Sequence, residues 1–446
     1  MGRAKEWMLE QEERGWYEGP DSSVCPDCFD DDVLSSFVRE HADAFECDYC
    51  GNTSQDNGED PGPIAAPFNA VMEVIAEGLF KEWNYADDEG IPYESAEGGY
   101  LAETVDRWDL VYDWVPVSNE KLQRDIAKRL PDQQFCERDF GSLGPAQSMA
   151  VDWESFCHVV KHRNRFVFIR PQSRMTASPP EQTNEAEPGV LDSFGPSELE
   201  LAPEEILDTI GHIVESASLV RRVPAGTIFK RARVHSRKRM YRSAETLGTP
   251  PENKVRYPNR MSPSGIAMFY GALDGYTAVA ETKTRRLTPE EIVTVAEFVS
   301  TKDFSAIDFS NLPRVPSLFS NSSRRERGAI SFLHDFVQEL SKPIRRNSRE
   351  HTEYVPTQVV TEYFRYAFRP SSGEPVRGIY YPSSRVPNGV ACVLFFDREA
   401  CGVAPESAWT RPEQFLKLDV KSIARMRRRP AREKPPPPAS QGSLFS

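Results

Sequence analysis

Apolar residues in the first half of the chain recur every three or four positions, which is the period of an amphipathic helix. Three stretches between residues 62 and 170 show this spacing: Val71-Val74-Ile75-Leu79, Leu122-Ile126-Leu130 and Trp153-Phe156-Val159-Val160. They predict a small α-helical domain over residues 62–170. Residues 204–221 repeat the pattern and predict a helix that leads into the second half of the chain.

The second half mixes short apolar runs, typical of buried strands, with further stretches of helical spacing. Strands are predicted over residues 227–234, 267–270, 293–298, 377–381 and 391–396. Helices are predicted over residues 277–283, 327–340 and 357–368. The sequence shows neither regular strand–helix–strand repeats nor a glycine-rich phosphate loop, which argues against a doubly wound sheet. We therefore predict an α+β domain with a mixed sheet over residues 204–423.

Two further stretches have too few apolar residues to form a core. Residues 171–201 are rich in Pro, Ser, Glu and Gly and predict a disordered linker. From residue 424 onward an arginine cluster and a run of four prolines predict a disordered basic, Pro-rich tail.

The end of that tail, Gln441-Gly442-Ser443-Leu444-Phe445, is similar to the pentapeptide with which bacterial proteins bind the replication sliding clamp. The clamp is therefore one partner to consider. The alternative is a chance match on a tail that only solubilises the protein or contacts phosphates without specificity.

Length and charge narrow the class of protein. A chain of 446 residues has room for two or three domains. Its apolar runs are too short to cross a bilayer, and its first residues are acidic and aromatic, unlike a signal peptide, so we expect a cytoplasmic protein with no membrane partner. The net charge of -14 argues against a surface that binds nucleic acid throughout.

Four of the eight cysteines form a regular set, Cys25-x-x-Cys28 and Cys47-x-x-Cys50, with 18 residues between the pairs. This spacing is typical of a zinc ribbon, in which two turns supply four thiolates to a tetrahedral Zn²⁺. We predict a zinc ribbon over residues 1–60 with a structural role, since four thiolates leave no position for a catalytic water. Two unrelated reduced pairs or a redox dithiol are the alternatives.

Residues 260–281 combine an arginine, a tyrosine and a glutamate around a turn, a short apolar strand and a small helix. Asp274 is in position to cap that helix, which would present Glu281 near its far end. Arg260, Tyr270 and Glu281 on one pocket would suit a nucleotide with a labile glycosidic bond.

This stretch resembles the RES domain, a family named for its Arg, Glu and Ser. Further blocks follow the family's order: PAGTIFKRARV at 224–234, LGTPP at 247–251, VPTQ at 355–358, Glu362, GIYYPSS at 378–384 and Asn388. The resemblance covers residues from about 224 to about 403. It implies a fold related to ADP-ribosyltransferases and a toxin that degrades NAD⁺. Such toxins are typically neutralised by a small helix-turn-helix antitoxin, and inhibition by the fused N-terminal half is the alternative here.

The resemblance also implies roles for single residues. Glu281 would stabilise the ribosyl cation, and Tyr270 would stack on nicotinamide or contact the ribose. Ser383 matches the family's serine, which would hydrogen-bond the nicotinamide amide or the ribose, with Ser384 as its alternative. Asn388 would support the same loop.

Two arginine positions of the family match Arg231 and Arg260, which would bind the pyrophosphate as planar, multidentate cations. Arg233 lies two residues from Arg231, and the sequence leaves open which of the two faces the site. The alternative is that both lie on the solvent face of one strand.

The helical segment over residues 62–170 is similar to the HEPN module that precedes some RES domains. Some HEPN proteins are ribonucleases with an Arg a few residues before a His. Here His158 and His162 precede Arg163 and Arg165, so the order is reversed and we favour a solvated or partner-facing basic helix end over RNase activity. A metal site on the two histidines would lack a third ligand.

We therefore expect an enzyme that cleaves the nicotinamide–ribose bond of NAD⁺ by hydrolysis or phosphorolysis and so depletes the cell of NAD. ADP-ribosyl transfer to a macromolecule is the first alternative. A nucleic-acid-associated protein that senses the nucleotide without turnover is the second.

Overall fold

The computed structural model describes residues 11, 14–54, 62–96, 98–166, 202–282, 287–342, 350–403 and 413–426. The chain divides into two compact units. The first, the N-terminal unit, contains Met1–Met149 and also Arg314–Phe332. The second, the sheet unit, contains Ala150–Pro313 and Leu333–Ser446.

The N-terminal unit is mainly helical. Its helices are α1 (Asp32–Glu40), α2 (Phe68–Glu82), α3 (Arg107–Trp114), α4 (Glu120–Arg129) and the first turns of α5 (Pro145–His162), preceded by a 3-10 turn at Pro26–Cys28. Three short antiparallel pairs complete it: β1 (Ser23–Val24) with β2 (Ala66–Pro67), β3 (Trp83–Tyr85) with β6 (Phe135–Glu137), and β4 (Tyr93–Glu94) with β5 (Gly99–Tyr100).

Side-chain caps explain where several of these helices begin. Asp31, Asp106 and Asn119 each accept hydrogen bonds from two backbone N–H groups in the first turn of α1, α3 and α4. The apolar face of α2 is fully buried at Val71 and Ile75. The predicted helices around Val71 and Leu122 are thus α2 and α4.

The core of this unit joins the cysteine segment to the helices. Cys25, Cys28 and Cys47 belong to the same cluster of buried side chains as Phe68 and Val71. The inserted segment Arg314–Phe332 contributes Leu318 and Phe319 to that core. In addition, Arg324 Nε and Arg327 Nη1 donate to the two carboxylate oxygens of Glu82, at 2.7 and 2.5 Å.

The sheet unit is built on one eight-stranded sheet, which confirms the predicted α+β class. In spatial order its strands are β14 (Leu416–Met426), β10 (Glu291–Ser300), β8 (Ile228–Ser236), β9 (Phe269–Ala272), β13 (Val390–Leu394), β12 (Val376–Pro382), β11 (Phe304–Asp308) and β7 (Val220–Val223). Neighbouring strands are antiparallel except β11 and β12, which are parallel. The sheet is therefore mixed.

Helices and turns cover this sheet and connect its strands. They are α6 (Pro203–Ser216), α7 (Ala244–Leu247), α8 (Gly275–Thr282), α9 (Arg324–Ser341), α10 (Glu350–Glu353) and α11 (Val355–Glu362), with a 3-10 turn at Glu252–Lys254 and a π-helical turn at Tyr363–Ala367. The first residues of α9 belong to the N-terminal unit, and its last turns belong to the sheet unit.

Two predicted boundaries were wrong. The helix predicted over residues 204–221 ends at Ser216, because Ser218 adopts a left-handed φ of 54° and β7 follows. The tail was predicted to begin at residue 424, but Ala424 and Arg425 pair with β10 as part of β14. Charged side chains suit this strand, which lies at one edge of the sheet. The clamp-like Gln441–Phe445 and the linker over residues 171–201 lie outside the described residues.

Candidate active site in the sheet unit

One cavity of about 670 Å³ in the sheet unit brings most of the predicted site residues together. Its walls come from β8, β9, α8, the turn before β9 and the loop after β12. The predicted site residues that line it are Arg231, Arg233, Arg260, Tyr270, Glu281 and Ser384.

Arg231 and Arg233 lie two residues apart on β8, so both point to the same face of the strand. That face is the cavity wall and not solvent, since Arg231 is buried and both residues line the cavity. Arg231 donates from Nη1 to the Tyr270 carbonyl at 2.7 Å, and its guanidinium lies 4.7 Å from the centre of the Phe269 ring. Arg233 donates to the Gly248 carbonyl.

The positive charges of Arg231 and Arg233 are not neutralised by ion pairs within the described residues. Within the described residues, neither guanidinium forms an ion pair with a carboxylate, and neither buried Nε has a hydrogen-bond acceptor. Burial, together with the charge of Arg233, lowers the pKa of Arg231 well below its usual value. One buried and one partly buried cation without an ion-pair partner on the same wall favour an anionic ligand.

Arg260 lines the same cavity but uses its terminal nitrogens elsewhere. Nη1 donates to the Leu340 carbonyl and Nη2 donates to the Lys342 carbonyl, at the C-terminal end of α9. Helix ends of this kind carry unpaired carbonyls and partial negative charge, so a guanidinium stabilises them. The turn that carries Arg260 is held in addition by Thr357 Oγ1, which donates to the Arg260 carbonyl at 2.5 Å. Pyrophosphate binding by Arg260 stays a prediction.

Glu281 and Ser383, 102 residues apart, form a direct hydrogen bond. Asp274 Oδ1 accepts from the Thr277 N–H at 2.8 Å and so starts α8, which places Glu281 near the end of that helix. Ser383 Oγ donates to Glu281 Oε1 at 2.5 Å. The same Oγ accepts from the backbone N–H of Arg385 and of Val386, both at 3.2 Å, so the serine holds the carboxylate and its own loop together.

The rest of this loop separates the remaining candidates. Ser384 lines the cavity, whereas Asn388 is exposed and is not among its lining residues. Asn388 adopts a left-handed φ of 59°, a conformation that Asn tolerates well. The Ser383 N–H donates to the Gly389 carbonyl at 2.8 Å and closes the loop. Asn388 thus lies in the loop that carries Ser383 but does not line the cavity, and its predicted part in the site stays a prediction.

Comparison with protein families matches two parts of the chain to domain families. Residues 40–174 match HEPN/RES N-terminal domain 1, and residues 230–416 match the RES domain. The chain contains a HEPN/RES N-terminal domain followed by a RES domain. A RES domain supports, in general terms, a toxin-like and NAD-related function and an enzyme that acts on NAD. No curated protein and no solved structure matches the chain.

Several residues of the RES domain cavity were missed at the sequence level. Tyr381 and Tyr354 line it, and so does Tyr241. Burial and the nearby charge of Glu281 raise the pKa of Tyr381 well above its usual value, so its hydroxyl stays protonated. The alternation of side chains along a strand could have identified Tyr381. This tyrosine lies two residues before Ser383, near the end of β12, so the two side chains are expected on the same face.

A second candidate centre, for a metal, lies in the N-terminal unit. The sulfur atoms of Cys25, Cys28, Cys47 and Cys50 all lie within 4.8 Å of one another, with Cys25 to Cys28 at 3.8 Å and Cys28 to Cys47 at 3.7 Å. Four thiolates at Zn–S distances of about 2.3 Å in a tetrahedron would be separated by roughly 3.8 Å. The cluster therefore fits a tetrahedral Zn²⁺, which would cross-link the two Cys-x-x-Cys turns.

The two histidines of α5 do not form a metal site like that of the four cysteines within the described residues. The rings of His158 and His162 lie 5.4 Å apart. Arg165 donates to the Val160 and Lys161 carbonyls and so caps the end of α5. Among the described residues, only the four cysteines form a group of three or more metal-ligating side chains. No helix in the described ranges combines the length and apolar character needed to cross a membrane.

Proposed function

We propose that the RES domain binds NAD⁺ in the arginine-lined cavity and cleaves the bond between nicotinamide and ribose. The observation that carries this proposal is that Glu281, which accepts a hydrogen bond from Ser383, lines the same cavity as Arg231 and Arg233. One wall then offers positive charge, and another offers a fixed carboxylate. A cavity of about 670 Å³ also lies within the usual range of small-molecule sites.

The positive charge of the leaving group explains why the proposed cleavage needs one carboxylate and no acid to protonate nicotinamide. The nicotinamide of NAD⁺ is already cationic, so it departs as a neutral molecule that takes the electron pair of the broken C–N bond. The sugar is left with oxocarbenium character, which a nearby carboxylate stabilises. Glu281 would supply that charge, and the Ser383 hydroxyl would hold one carboxylate oxygen in place.

The arginine pair would serve the other half of the substrate. A pyrophosphate is a diffuse anion with several acceptor oxygens, and guanidinium groups match it better than lysine does. Within the described residues neither Arg231 nor Arg233 forms an ion pair with a carboxylate, so a bound phosphate would supply the opposite charge.

The test is turnover of NAD⁺ by the purified full-length chain, with products identified by mass spectrometry. We expect free nicotinamide from the native protein. Intact NAD⁺ after long incubation with folded protein would refute the proposal. NAD⁺ that binds without turnover would favour the nucleotide-sensing alternative.

Where the sugar goes separates hydrolysis from transfer. ADP-ribose or its phosphate in solution supports a glycohydrolase or a phosphorylase. ADP-ribose attached to a macromolecule supports a transferase. Depletion of cellular NAD after induced expression, absent with Glu281→Gln, would connect the chemistry to a toxin function.

We also propose that Zn²⁺ occupies the four-cysteine cluster in a structural role. Cys25, Cys28 and Cys47 are buried in the core of the N-terminal unit, which suits a cross-link and not a substrate site.

A further inference from the structure

Two segments with exposed cations border the RES domain cavity. The first is the loop after β8, residues 237–242, in which four of the six residues are Arg or Lys and Tyr241 lines the cavity. The second is residues 252–258 before β9, in which Val255 and Pro258 line the cavity. The exposed cations of these segments and of the end of β14 form the basic rim: Arg237, Lys238, Arg239, Arg242, Lys254, Arg256 and Arg425.

Contacts with the sheet hold the loop of the basic rim in place. Arg425 Nη2 donates to the Arg237 carbonyl at 3.0 Å, and Arg425 Nη1 donates to Met240 Sδ at 3.5 Å. Tyr241 stacks on His235 of β8, with ring centroids 4.0 Å apart and an angle of 13° between the ring planes. The loop is therefore fixed to β14 and β8 while its charged side chains stay exposed.

The basic rim keeps its positive charge within the described residues, since none of its cations forms an ion pair with a carboxylate there. Three exposed glutamates, Glu245, Glu252 and Glu290, lie on the same segments or beside them, and Glu245 is paired with Arg398. The cations still outnumber these acids, in a chain whose net charge is -14. A local excess of positive charge of this kind attracts a polyanion.

One NAD⁺ molecule does not account for the basic rim. The pyrophosphate of NAD⁺ would find Arg231 and Arg233 inside the cavity, whereas no cation of the basic rim is among the residues that line it. A chain of phosphates that runs over the surface would contact several of the exposed cations at once. The basic rim therefore suits a polymer of phosphates better than a single dinucleotide.

An exposed aromatic ring lies next to these cations. Tyr257 follows Arg256 and is 79% exposed. The backbone before it is held on both residues: the Gly265 N–H donates to the Val255 carbonyl at 2.8 Å. Ser264 Oγ donates to the Arg256 carbonyl at 3.3 Å. A fixed, exposed ring beside cations offers a surface on which an unpaired base stacks, which favours a single strand over a duplex.

We infer that the basic rim binds single-stranded nucleic acid, with phosphates on its Arg and Lys side chains and a base stacked on Tyr257. Phosphate contacts and stacking carry little sequence information, so binding should tolerate many sequences. It should weaken steeply with salt, since each neutralised phosphate releases counterions. The inference does not rest on cleavage of NAD⁺, because binding of a strand requires no turnover.

The test is fluorescence anisotropy of the full-length protein with a labelled single strand of about 20 nucleotides, as DNA and as RNA, over a range of salt concentrations. We expect both strands to bind at low salt, and the DNA duplex of the same sequence to bind about ten-fold more weakly. Polyglutamate and vesicles that contain an anionic lipid are added as competitors in separate arms. Neither should displace the strand when present at the same concentration of negative charge.

Two variants locate the binding surface. Lys238→Gln, Arg239→Gln and Arg242→Gln combined should weaken binding of the single strand by about ten-fold or more and reduce the salt slope by about two, because three phosphate contacts are lost. Tyr257→Ala should weaken binding by about ten-fold with the salt slope unchanged, because only stacking is lost. Tyr112→Ala, which removes a tyrosine that is 73% exposed on α3, is its matched control and should bind as the native protein does.

The control for the triple variant makes the same change of charge elsewhere. Arg39→Gln, Arg124→Gln and Lys128→Gln combined remove three exposed cations of the N-terminal unit and should leave binding within two-fold of native. Urea unfolding verifies that each variant is folded. An equal loss in both triple variants would show attraction by net charge alone and overturn the inference.

Three further results would overturn it. Failure of both strands to bind at low salt would remove the nucleic-acid partner, whatever the protein does to NAD⁺. Tighter binding of the duplex, together with an unchanged affinity in Tyr257→Ala, would contradict stacking of an unpaired base. Displacement of the strand by polyglutamate or by the vesicles would assign the basic rim to an acidic protein or to a lipid surface.

Discussion

The four-cysteine cluster and the RES domain cavity are assembled in opposite ways. The cysteines come from two short turns within residues 25–50, and three of the four sulfur atoms are buried in the N-terminal core. The cavity takes its side chains from positions as distant as Arg231 and Arg385, on strands, helices and loops. The four ligands of a metal cluster contribute nearly equally to metal binding. The side chains of the cavity would instead have different roles, in ligand binding or in catalysis. Loss of one residue should therefore have uniform effects in the cluster and graded effects in the cavity.

The largest effect is expected from the cluster. Cys28→Ser should abolish Zn²⁺ binding and lower the free energy of unfolding by roughly 5 kcal/mol, because a structural metal contributes directly to folding. Metal analysis and urea unfolding of the purified protein measure both effects. Cys136→Ser removes another buried cysteine of the same unit and should keep its Zn²⁺. Native protein purified without bound metal would contradict the assignment.

In the cavity, the largest effect should follow removal of the carboxylate charge. Glu281→Gln keeps an oxygen that can accept from Ser383 but cannot stabilise a cationic sugar, so the rate of nicotinamide release should fall by about 100-fold or more. Glu290→Gln, at an exposed position before β10, is the matched control. Turnover within a few-fold of native for Glu281→Gln would assign the carboxylate a structural role.

A smaller effect is expected from substitution of a residue that would bind the ligand away from the reacting bond. Arg231→Gln should raise KM for NAD⁺ by about ten-fold or more, because a hydrogen bond to a charged group is lost, with a lesser change in kcat. Steady-state kinetics separates the two constants. Arg237→Gln changes an exposed arginine beyond the end of β8 and should leave KM unchanged. A pure loss of kcat in Arg231→Gln would place this arginine near the reacting bond instead.

The smallest effect should come from the serines. Ser383→Ala removes the hydrogen bond that orients Glu281 and should lower kcat by about ten-fold, whereas Ser384→Ala should lower it by about two-fold. Parallel rate measurements on the two variants give the comparison. The reverse order would make Ser384 the functional serine of this RES domain.

Local patterns predicted the local features well. The Cys-x-x-Cys spacing identified a group of sulfur atoms that the structure brings within 4.8 Å of one another. Asp274 was recognised as the cap of α8, which its hydrogen bond to the Thr277 N–H confirms. Each of these features depends on residues close together in sequence, and their geometry follows from short turns and single helices.

Features that depend on distant residues were harder to predict. The helical period of residues 204–221 continues into residues that form β7, because pairing with β11 overrides the local preference. The last three residues of β14, 424–426, were predicted as the start of a tail, since the arginine cluster that begins there resembles a solvated segment. Pairing of β14 along β10 decides its conformation.

By itself, the sequence determined the set of cysteines, the order of the HEPN/RES N-terminal domain and the RES domain, and the α+β character of the second half. Only the tertiary structure decided that both Arg231 and Arg233 face a cavity, that Ser383 holds Glu281 and that Arg260 caps α9. It also placed the segment Arg314–Phe332 in the N-terminal unit. The physical reason is range: turn geometry and side-chain period act over a few residues, whereas the direction of a side chain in a cavity depends on which strands and helices pack beside it.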